Sequence, residues 1–353
     1  MRRLLVRSTN WIGDAVISIP ALHEIRRVHA GWRISVLARP WVASLYARES
    51  FCDELILYDR AGEHRGLRGR ERLASRLRRS KFDRAILLQN AFDAAWLAWR
   101  AGIPERIGYN RDGRGLLLTR RVRTPAEGET PPHQRFYYLE LLRRAGLIER
   151  LPERAHSRLE RLADIRQRGA ALWKRKGLPE GPWIGVSPGA AFGTAKRWLP
   201  DRFATAAREL SAEMGAYVAV FGSKSEAGVA AEVARVAGLR TTSLAGRTTL
   251  AEYLELASTC ALYLTNDSGS MHCAAALGVP TVAVFGATDH DATGPAAPWA
   301  RIVREPVECS PCLLRECPIP GHPCMAGVSA ARVVREARSL LEEQRESDPP
   351  GRR

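Results

Sequence analysis

Short uninterrupted apolar runs alternate along this chain with stretches in which apolar residues recur every three or four positions. Leu4–Arg7, Ile34–Ala38, Leu55–Tyr58 and Arg84–Leu88 are runs of the first kind. Runs of that length, bounded by turn residues, predict strands buried on both faces. Ala15–Val28, Asp93–Arg100 and Phe136–Ala145 have helical spacing, as does the basic stretch His64–Lys81, where Leu67, Leu73 and Leu77 recur at roughly helical intervals. Strand and helix in alternation predict a doubly wound parallel sheet, an α/β architecture.

From Glu149 to Lys176 the chain is charged, helical in propensity and poor in strands, and GLPEGP (Gly177–Pro182) then punctuates it. An inter-domain connection is expected there. The alternation resumes with strands at Trp183–Ser187, Tyr217–Phe221, Thr241–Leu244, Ala261–Leu264 and Thr281–Phe285. A final helix is expected over Ser329–Gln344, with the DPPGRR tail at 348–353 frayed. The expected division is a first domain over 1–165, a second over 178–328, and a terminal helix over 329–345.

Composition narrows the class. A chain of 353 residues with 45% apolar content fits two globular domains. No apolar run approaches the ~20 residues of a membrane span. The basic, then apolar, start is interrupted by Asp14 before a signal-peptide core forms, so the chain reads as cytoplasmic. The net charge is +16, and only Lys81, Lys174, Lys176, Lys196 and Lys224 of the 54 cations are lysine. Either a compositional bias toward arginine or a surface that meets phosphate and anionic lipid explains this. Without aromatic interleaving or a reader motif, nucleic acid is not an expected partner. There is no G-x-G-x-x-G after a strand and no G-x-x-x-x-G-K-[ST], which argues against dinucleotide and P-loop chemistry.

Three motifs carry the chemistry. The first is STNWIGDAVISIPAL (Ser8–Leu22), the second SPGAAFGTAKRWLP (Ser187–Pro200), and the third LTNDSGSMHCAAALGVPTVAVFGATDHDATGP (Leu264–Pro295). The third reads strand, polar turn, small-residue helix, strand, loop. Ligands bind where such turns leave the carboxyl ends of parallel strands, and a helix N-terminus suits an anion. Asp267, Ser268, Gly269, Ser270 and His272 therefore line an expected phosphate or polyol site. The order and spacing of the three motifs resemble glycosyltransferase family 9, the bacterial heptosyltransferases, over roughly Arg2 to Met325.

The resemblance implies a GT-B fold, two Rossmann-like domains with a central cleft, whose final helix returns to the first domain. It implies an inverting transfer of L-glycero-D-manno-heptose from ADP-heptose to a lipid A–Kdo–heptose acceptor of the lipopolysaccharide core region. No cofactor is required for catalysis, and the acceptor suggests peripheral contact with the anionic inner membrane leaflet. Rival readings are transfer of the first or third heptose, another sugar, or a nucleotide-sugar binder without turnover.

Particular residues take roles on that basis. Asp14 would suit a helix N-cap, but the resemblance makes it the general base. A helix N-terminus lowers a carboxyl pKa, so a base there needs desolvation to offset it. Gly13 permits a tight turn, and Asn10 and Trp11 are expected to contact acceptor. Lys196 could belong to an ordinary basic loop; the resemblance places it on the donor diphosphate, with Thr194 adding a hydroxyl. Asp267 suits donor hydroxyls or a helix cap, and His272 a donor contact. Thr288, Asp289, Thr293 and Gly294 border the same place, while Gly222, Ser223 and Glu226 face the nucleoside.

Seven cysteines occur, four of them in ECSPCLLRECPIPGHPCM: Cys309, Cys312, Cys317 and Cys324, with His322 nearby. The spacing is not that of a standard zinc finger, and the readings are a structural metal, reduced packed thiols, or redox chemistry. Cys52, Cys260 and Cys273 read as small core residues.

Overall fold

The computed structural model describes residues 1–153 and 155–347. The expectation for the tail at 348–353 lies outside these. The chain divides into two compact units, Met1–Glu160 and Arg161–Arg353, and among the described residues each is built on one six-stranded sheet.

In the first unit the strands are β1 (Arg3–Arg7), β2 (Arg33–Ala38), β3 (Glu54–Leu57), β4 (Arg84–Leu87), β5 (Glu105–Tyr109) and β6 (Arg120–Val122). They run parallel in the order β3-β2-β1-β4-β5-β6. Val6 pairs with Val36 on one side and Ile86 on the other, so the three central strands bring fully buried apolar residues into register. The helical stretch expected over Ala15–Val28 is two helices, Ile12–Ile17 and Ile19–Val28. Pro20 explains the break, since it has no N–H to reach back to the carbonyl of Val16.

The second unit holds β7 (Trp183–Ser187), β8 (Tyr217–Val220), β9 (Thr241–Ser243), β10 (Leu262–Asn266), β11 (Thr281–Phe285) and β12 (Ala300–Arg304). Their order is β12-β11-β10-β7-β8-β9, again all parallel. Both sheets wind outward in two directions from a central pair, β1/β4 in the first and β7/β10 in the second. That pair marks the point where an open α/β sheet leaves a crevice at its carboxyl edge. Two such units in one chain constitute the GT-B type of α/β fold.

Three expectations are corrected. The helix Leu162–Arg175, expected to straddle the domain connection, is part of the second unit. Its Trp173 stacks on Trp183 of β7 with ring centroids 4.1 Å apart. Gly169 lets it seat against helix Leu250–Ala257, because a Cβ there would lie 2.1 Å from the Glu255 carbonyl oxygen. The boundary therefore falls between residues 160 and 161. The final helix, Ala330–Ser347, was expected to pack on the first domain; its stripe Val333, Val334, Ala337 and Leu340 instead completes the core of the second unit. In the basic helix Gly66–Arg79, Leu73 and Leu77 are buried but Leu67 is 70% exposed. Among the described residues no helix is long and apolar enough to cross a membrane.

Candidate active site

In the second unit the chain leaves β7 at Ser187, runs through Pro188 and Gly189, and makes one 3-10 turn at Thr194–Lys196 before helix Pro200–Met214. Trp198 anchors the exit of this turn. Its indole N–H donates to the Val328 carbonyl at 2.9 Å, and its backbone N–H donates to Asn266 Oδ1 at 2.9 Å. Asn266 in turn donates from Nδ2 to the Pro188 carbonyl at 2.7 Å. One amide side chain thus ties the turn after β7 to the end of β10, across the point where the sheet changes direction.

Lys196 and Asp267 meet there. Nζ donates to Asp267 Oδ2 at 2.6 Å, with the side chains 12% and 4% exposed. Thr288, just beyond β11, donates its hydroxyl to the same carboxylate oxygen. Helix Gly269–Ala276 begins next to this pair, with Ser268 rather than Asp267 at the N-cap position. Ser268 and Ser270 exchange a hydroxyl hydrogen bond of 2.7 Å, and Thr265 lies 3.3 Å from the Ser268 hydroxyl. The result is a cation, a row of hydroxyls and the unpaired N–H groups of a helix start, a donor set suited to phosphate oxygens.

Around this core the expected residues divide. Thr194 is exposed on the 3-10 turn. Glu226 closes a capping box, accepting from the Ser223 N–H at 2.7 Å. Its carboxylate lies so near Gly189 that a Cβ on that glycine would sit 2.0 Å from Oε1. Gly222 packs against Glu226 from the other side, so the turns after β7 and β8 converge on this one carboxylate. His272 is buried in the fourth position of its helix, 6% exposed. Asp289 serves as the N-cap of helix His290–Thr293, accepting from the Asp291 N–H at 2.9 Å, and Thr293 donates back to the Asp289 carbonyl. Both residues are taken up by local structure.

In the first unit Asp14 stands at the third position of helix Ile12–Ile17, half-buried, and accepts from Gln134 Nε2 at 3.4 Å. The N-cap is Trp11, without a side-chain cap, so Asp14 does not serve as the cap. Gly13 is the second helical residue, not part of a tight turn, and Trp11 is 67% exposed. Asn10 is a knot in the turn: Oδ1 accepts from Arg7 Nη2 at 2.6 Å and Arg39 Nε at 3.3 Å, and its carbonyl accepts from the Trp41 indole at 2.7 Å.

Arg7 and Arg39 were not anticipated. Both are buried at the carboxyl ends of β1 and β2. Burial first, and the charge of Arg39 second, push the Arg7 guanidinium down to about 10. Tyr58 offers its ring face to Arg39 at 4.3 Å and donates its hydroxyl to Asp93 at 2.6 Å; Arg70 reaches the other oxygen of Asp93 at 3.1 Å. Arg70 is ion-paired with Asp93, and Arg7 and Arg39 lie near enough to feel the same charge, so three guanidiniums gather around one carboxylate. Arg114, fully buried, fixes the turn after β4 by donating to the Gln89 carbonyl and Asn90 Oδ1. Trp11, Trp41, Phe92 and Leu116 are exposed in the turns after β1, β2, β4 and β5. The carboxyl edge thus combines positive charge with aromatic faces. A buried arginine has no distinct mark in a chain so rich in that residue, and only its place at a strand end could have singled it out.

The four clustered thiols lie near enough for Cys324 to feel the charge of Cys309, Cys317 and Cys312, though they are not among the closest ligand-bearing groups. Among the described residues, the groups of three or more His, Cys, Asp or Glu with ligand atoms within 4.8 Å of one another are His23–Glu49–Glu160 and Asp289–His290–Asp291. Cys324 is buried against Gly286 while Cys309, Cys312 and Cys317 sit partly exposed in the preceding loop. All seven cysteines are free.

Comparison with known proteins fits this arrangement. Residues 70–322 match the family described as glycosyltransferase family 9 (heptosyltransferase). The chain is 31% identical to lipopolysaccharide heptosyltransferase 2 of Escherichia coli (strain K12), over 86% of this chain and 88% of that protein. It is 30% identical to lipopolysaccharide heptosyltransferase 2 of Salmonella typhimurium, over 97% and 99%. The solved structure of E. coli ADP-heptose lps heptosyltransferase II superposes with a TM-score of 0.81 at 28% identity, covering 98% of this chain and 100% of that one.

Proposed function

The chain belongs to glycosyltransferase family 9, and from that membership we propose that it moves heptose from ADP-heptose to the first heptose of the lipopolysaccharide inner core. The observation that carries the reading is the Lys196–Asp267–Thr288 constellation beside the start of helix Gly269–Ala276. A glycosyl transfer from a nucleoside diphosphate sugar develops negative charge on the departing phosphate. Preorganised donors at that point stabilise the transition state and cost no reorganisation.

In the proposed reaction the acceptor hydroxyl oxygen attacks the anomeric carbon of the heptose. The new carbon–oxygen bond forms as the bond to the β-phosphate oxygen breaks. The hydroxyl proton passes to the Asp14 carboxylate, and ADP leaves with the bonding electron pair. Attack opposite the leaving group converts the donor's β-linkage to α in a single displacement. Gln134, donating to Asp14, orients the carboxylate. Lys196, Ser268, Ser270 and the helix N–H groups hold the diphosphate, Thr194 adds a hydroxyl, and Glu226 meets the nucleoside. This scheme uses no cofactor. The acceptor is anionic, and the positive, aromatic carboxyl edge of the first sheet, with Trp11 exposed beside Asn10, supports binding there. The net charge of +16 supports peripheral contact with an anionic membrane leaflet on the cytoplasmic side.

The test is ADP release from ADP-heptose with two truncated acceptors, one ending in Kdo and one already carrying a heptose. Turnover with the heptosylated acceptor alone is expected. Turnover with the Kdo-terminated acceptor would make this a first-heptose enzyme, and none with either would overturn the transfer reading.

A further inference from the structure

Lys196 does not bring a free charge to the donor. Its ammonium is paired with Asp267, which is almost fully buried, so the pair is neutral. A diphosphate carries more than one negative charge, and the hydroxyls and helix N–H groups supply only dipoles. A second cation is needed beside the same turn, and the Cys-rich segment supplies one.

Phe192 projects from the turn after β7, 37% exposed. Lys196 Nζ lies 4.8 Å from the centre of its ring, and Arg315 Cζ lies 5.3 Å from the same centre. Arg315 is exposed, and among the described residues its guanidinium has no ion pair or hydrogen bond. Its backbone, however, is locked to the lysine turn. The Arg315 carbonyl accepts from the Ala195 N–H at 3.0 Å, and a Cβ on Gly193 would lie 2.1 Å from that same oxygen. His322 Nε2 lies 3.1 Å from the Ala195 carbonyl. On the other side, Leu313 N–H donates to the Ala287 carbonyl at 2.7 Å and Ser310 Oγ to the Gly286 carbonyl at 2.6 Å, next to Thr288. The segment from Ser310 to His322 is therefore fastened to both turns that meet at Asp267, and it holds one unpaired guanidinium over the ring beside Lys196.

We propose that Arg315 is a second cation of the donor-diphosphate site, supplying the charge that Asp267 takes from Lys196. The proposal rests on the ADP-sugar reading of this site. An Arg head suits the task because its planar fork can meet two phosphate oxygens at once. It also gives the cysteine-bearing segment a purpose, as the scaffold that delivers this side chain.

The experiment is calorimetric titration of the full chain with ADP, and separately with adenosine, for wild type, Arg315→Ala and Arg315→Lys. Arg315→Ala is expected to weaken ADP about tenfold and to flatten the salt dependence of ADP binding. Adenosine affinity and the thermal unfolding midpoint should stay as in wild type, and Arg315→Lys should recover part of the loss. Wild-type ADP affinity in Arg315→Ala would overturn the proposal alone. Equal weakening of ADP and adenosine would also overturn it, by pointing to a distorted turn. Failure of the wild-type protein to bind ADP would overturn the donor reading and the proposal with it.

Discussion

Asp14 and Lys196 are separable by experiment because they act on different partners. Asp14 is half-buried, at a helix start, and receives a hydrogen bond from Gln134. As the proton acceptor it should matter only once both substrates are bound. Asp14→Asn should therefore bind ADP with wild-type affinity while kcat falls by ~10²–10⁴. Calorimetry beside an ADP-release assay checks both halves, and an Asn variant with near wild-type kcat would remove the base assignment. Lys196→Ala leaves Asp267 as an uncompensated buried carboxylate facing the phosphates. Here kcat/KM should fall by about two orders of magnitude or more, with ADP affinity falling alongside. A loss below tenfold would mean that backbone dipoles and hydroxyls hold the diphosphate. In one dimension both residues stand out through the motifs that resemble the family, Asp14 in STNWIGDAVISIPAL and Lys196 in SPGAAFGTAKRWLP. Their partners do not. Nothing in the sequence ties Asp267 to Lys196 across 71 positions, or tells Arg7, Arg39 and Arg315 from the other arginines. Burial and a free guanidinium are properties of the folded chain.

At the scale of elements, the central strands are legible because burial on both faces leaves apolar runs. Three strands are not: in β5 (ERIGY), β6 (RRV) and β12 (ARIVR) charged residues interrupt the apolar run. β6 and β12 lie at sheet edges, where a strand keeps a side toward water, and β5 is the neighbour of β6. Helix Gln134–Arg144, which brings Gln134 to Asp14, is held at its far end by charge. Glu140, 1% exposed, accepts from Arg143 and Arg144; Glu129 accepts from Arg123 and Arg144. For Glu140, burial raises the pKa, but the two arginines outweigh it and the net direction is down. Glu129, paired first with Arg123, is lowered to about 2. Carboxyls depressed in the folded state stabilise it above their unfolded pKa of about 4.3 and lose that contribution as pH falls through the folded value. The contribution of these two carboxyls should thus be flat above about pH 5 and decline from about pH 4.5 toward 2. Glu140→Gln should cost about 2–3 kcal/mol at pH 6. Its deficit relative to wild type should shrink as the pH approaches 2, which thermal melts of both proteins across that range would reveal. A deficit that stays constant down to pH 2 would mean that Glu140 acts by packing and not by charge.

For the whole molecule, alternation of strand and helix predicts two doubly wound units, and the expected boundary errs only where amphipathic helices choose a partner. Helix Leu162–Arg175 looks like a connector because it is charged, yet its buried side, Ile165, Leu172 and Trp173, belongs to the second unit. Helix periodicity says that a face will be covered but not by what. The distinction can be tested by where the chain is cut. A fragment beginning at residue 161 retains the stack of Trp173 on Trp183 and the close seat of Gly169 on Glu255. It also retains the final helix in its own core. It should unfold cooperatively and bind ADP as tightly as the full chain, since Lys196, Asp267, Thr288 and Arg315 all lie within it. A fragment beginning at 178 gives up the first helix and uncovers Trp183, which is 3% exposed in the whole chain. At ~1.5–3 kcal/mol for each large apolar side chain returned to water, it should melt well below the longer fragment. Equal melting of the two would show that the helix is a linker after all. A cooperatively folded 161 fragment that cannot bind ADP would show that the donor site needs residues from the first unit.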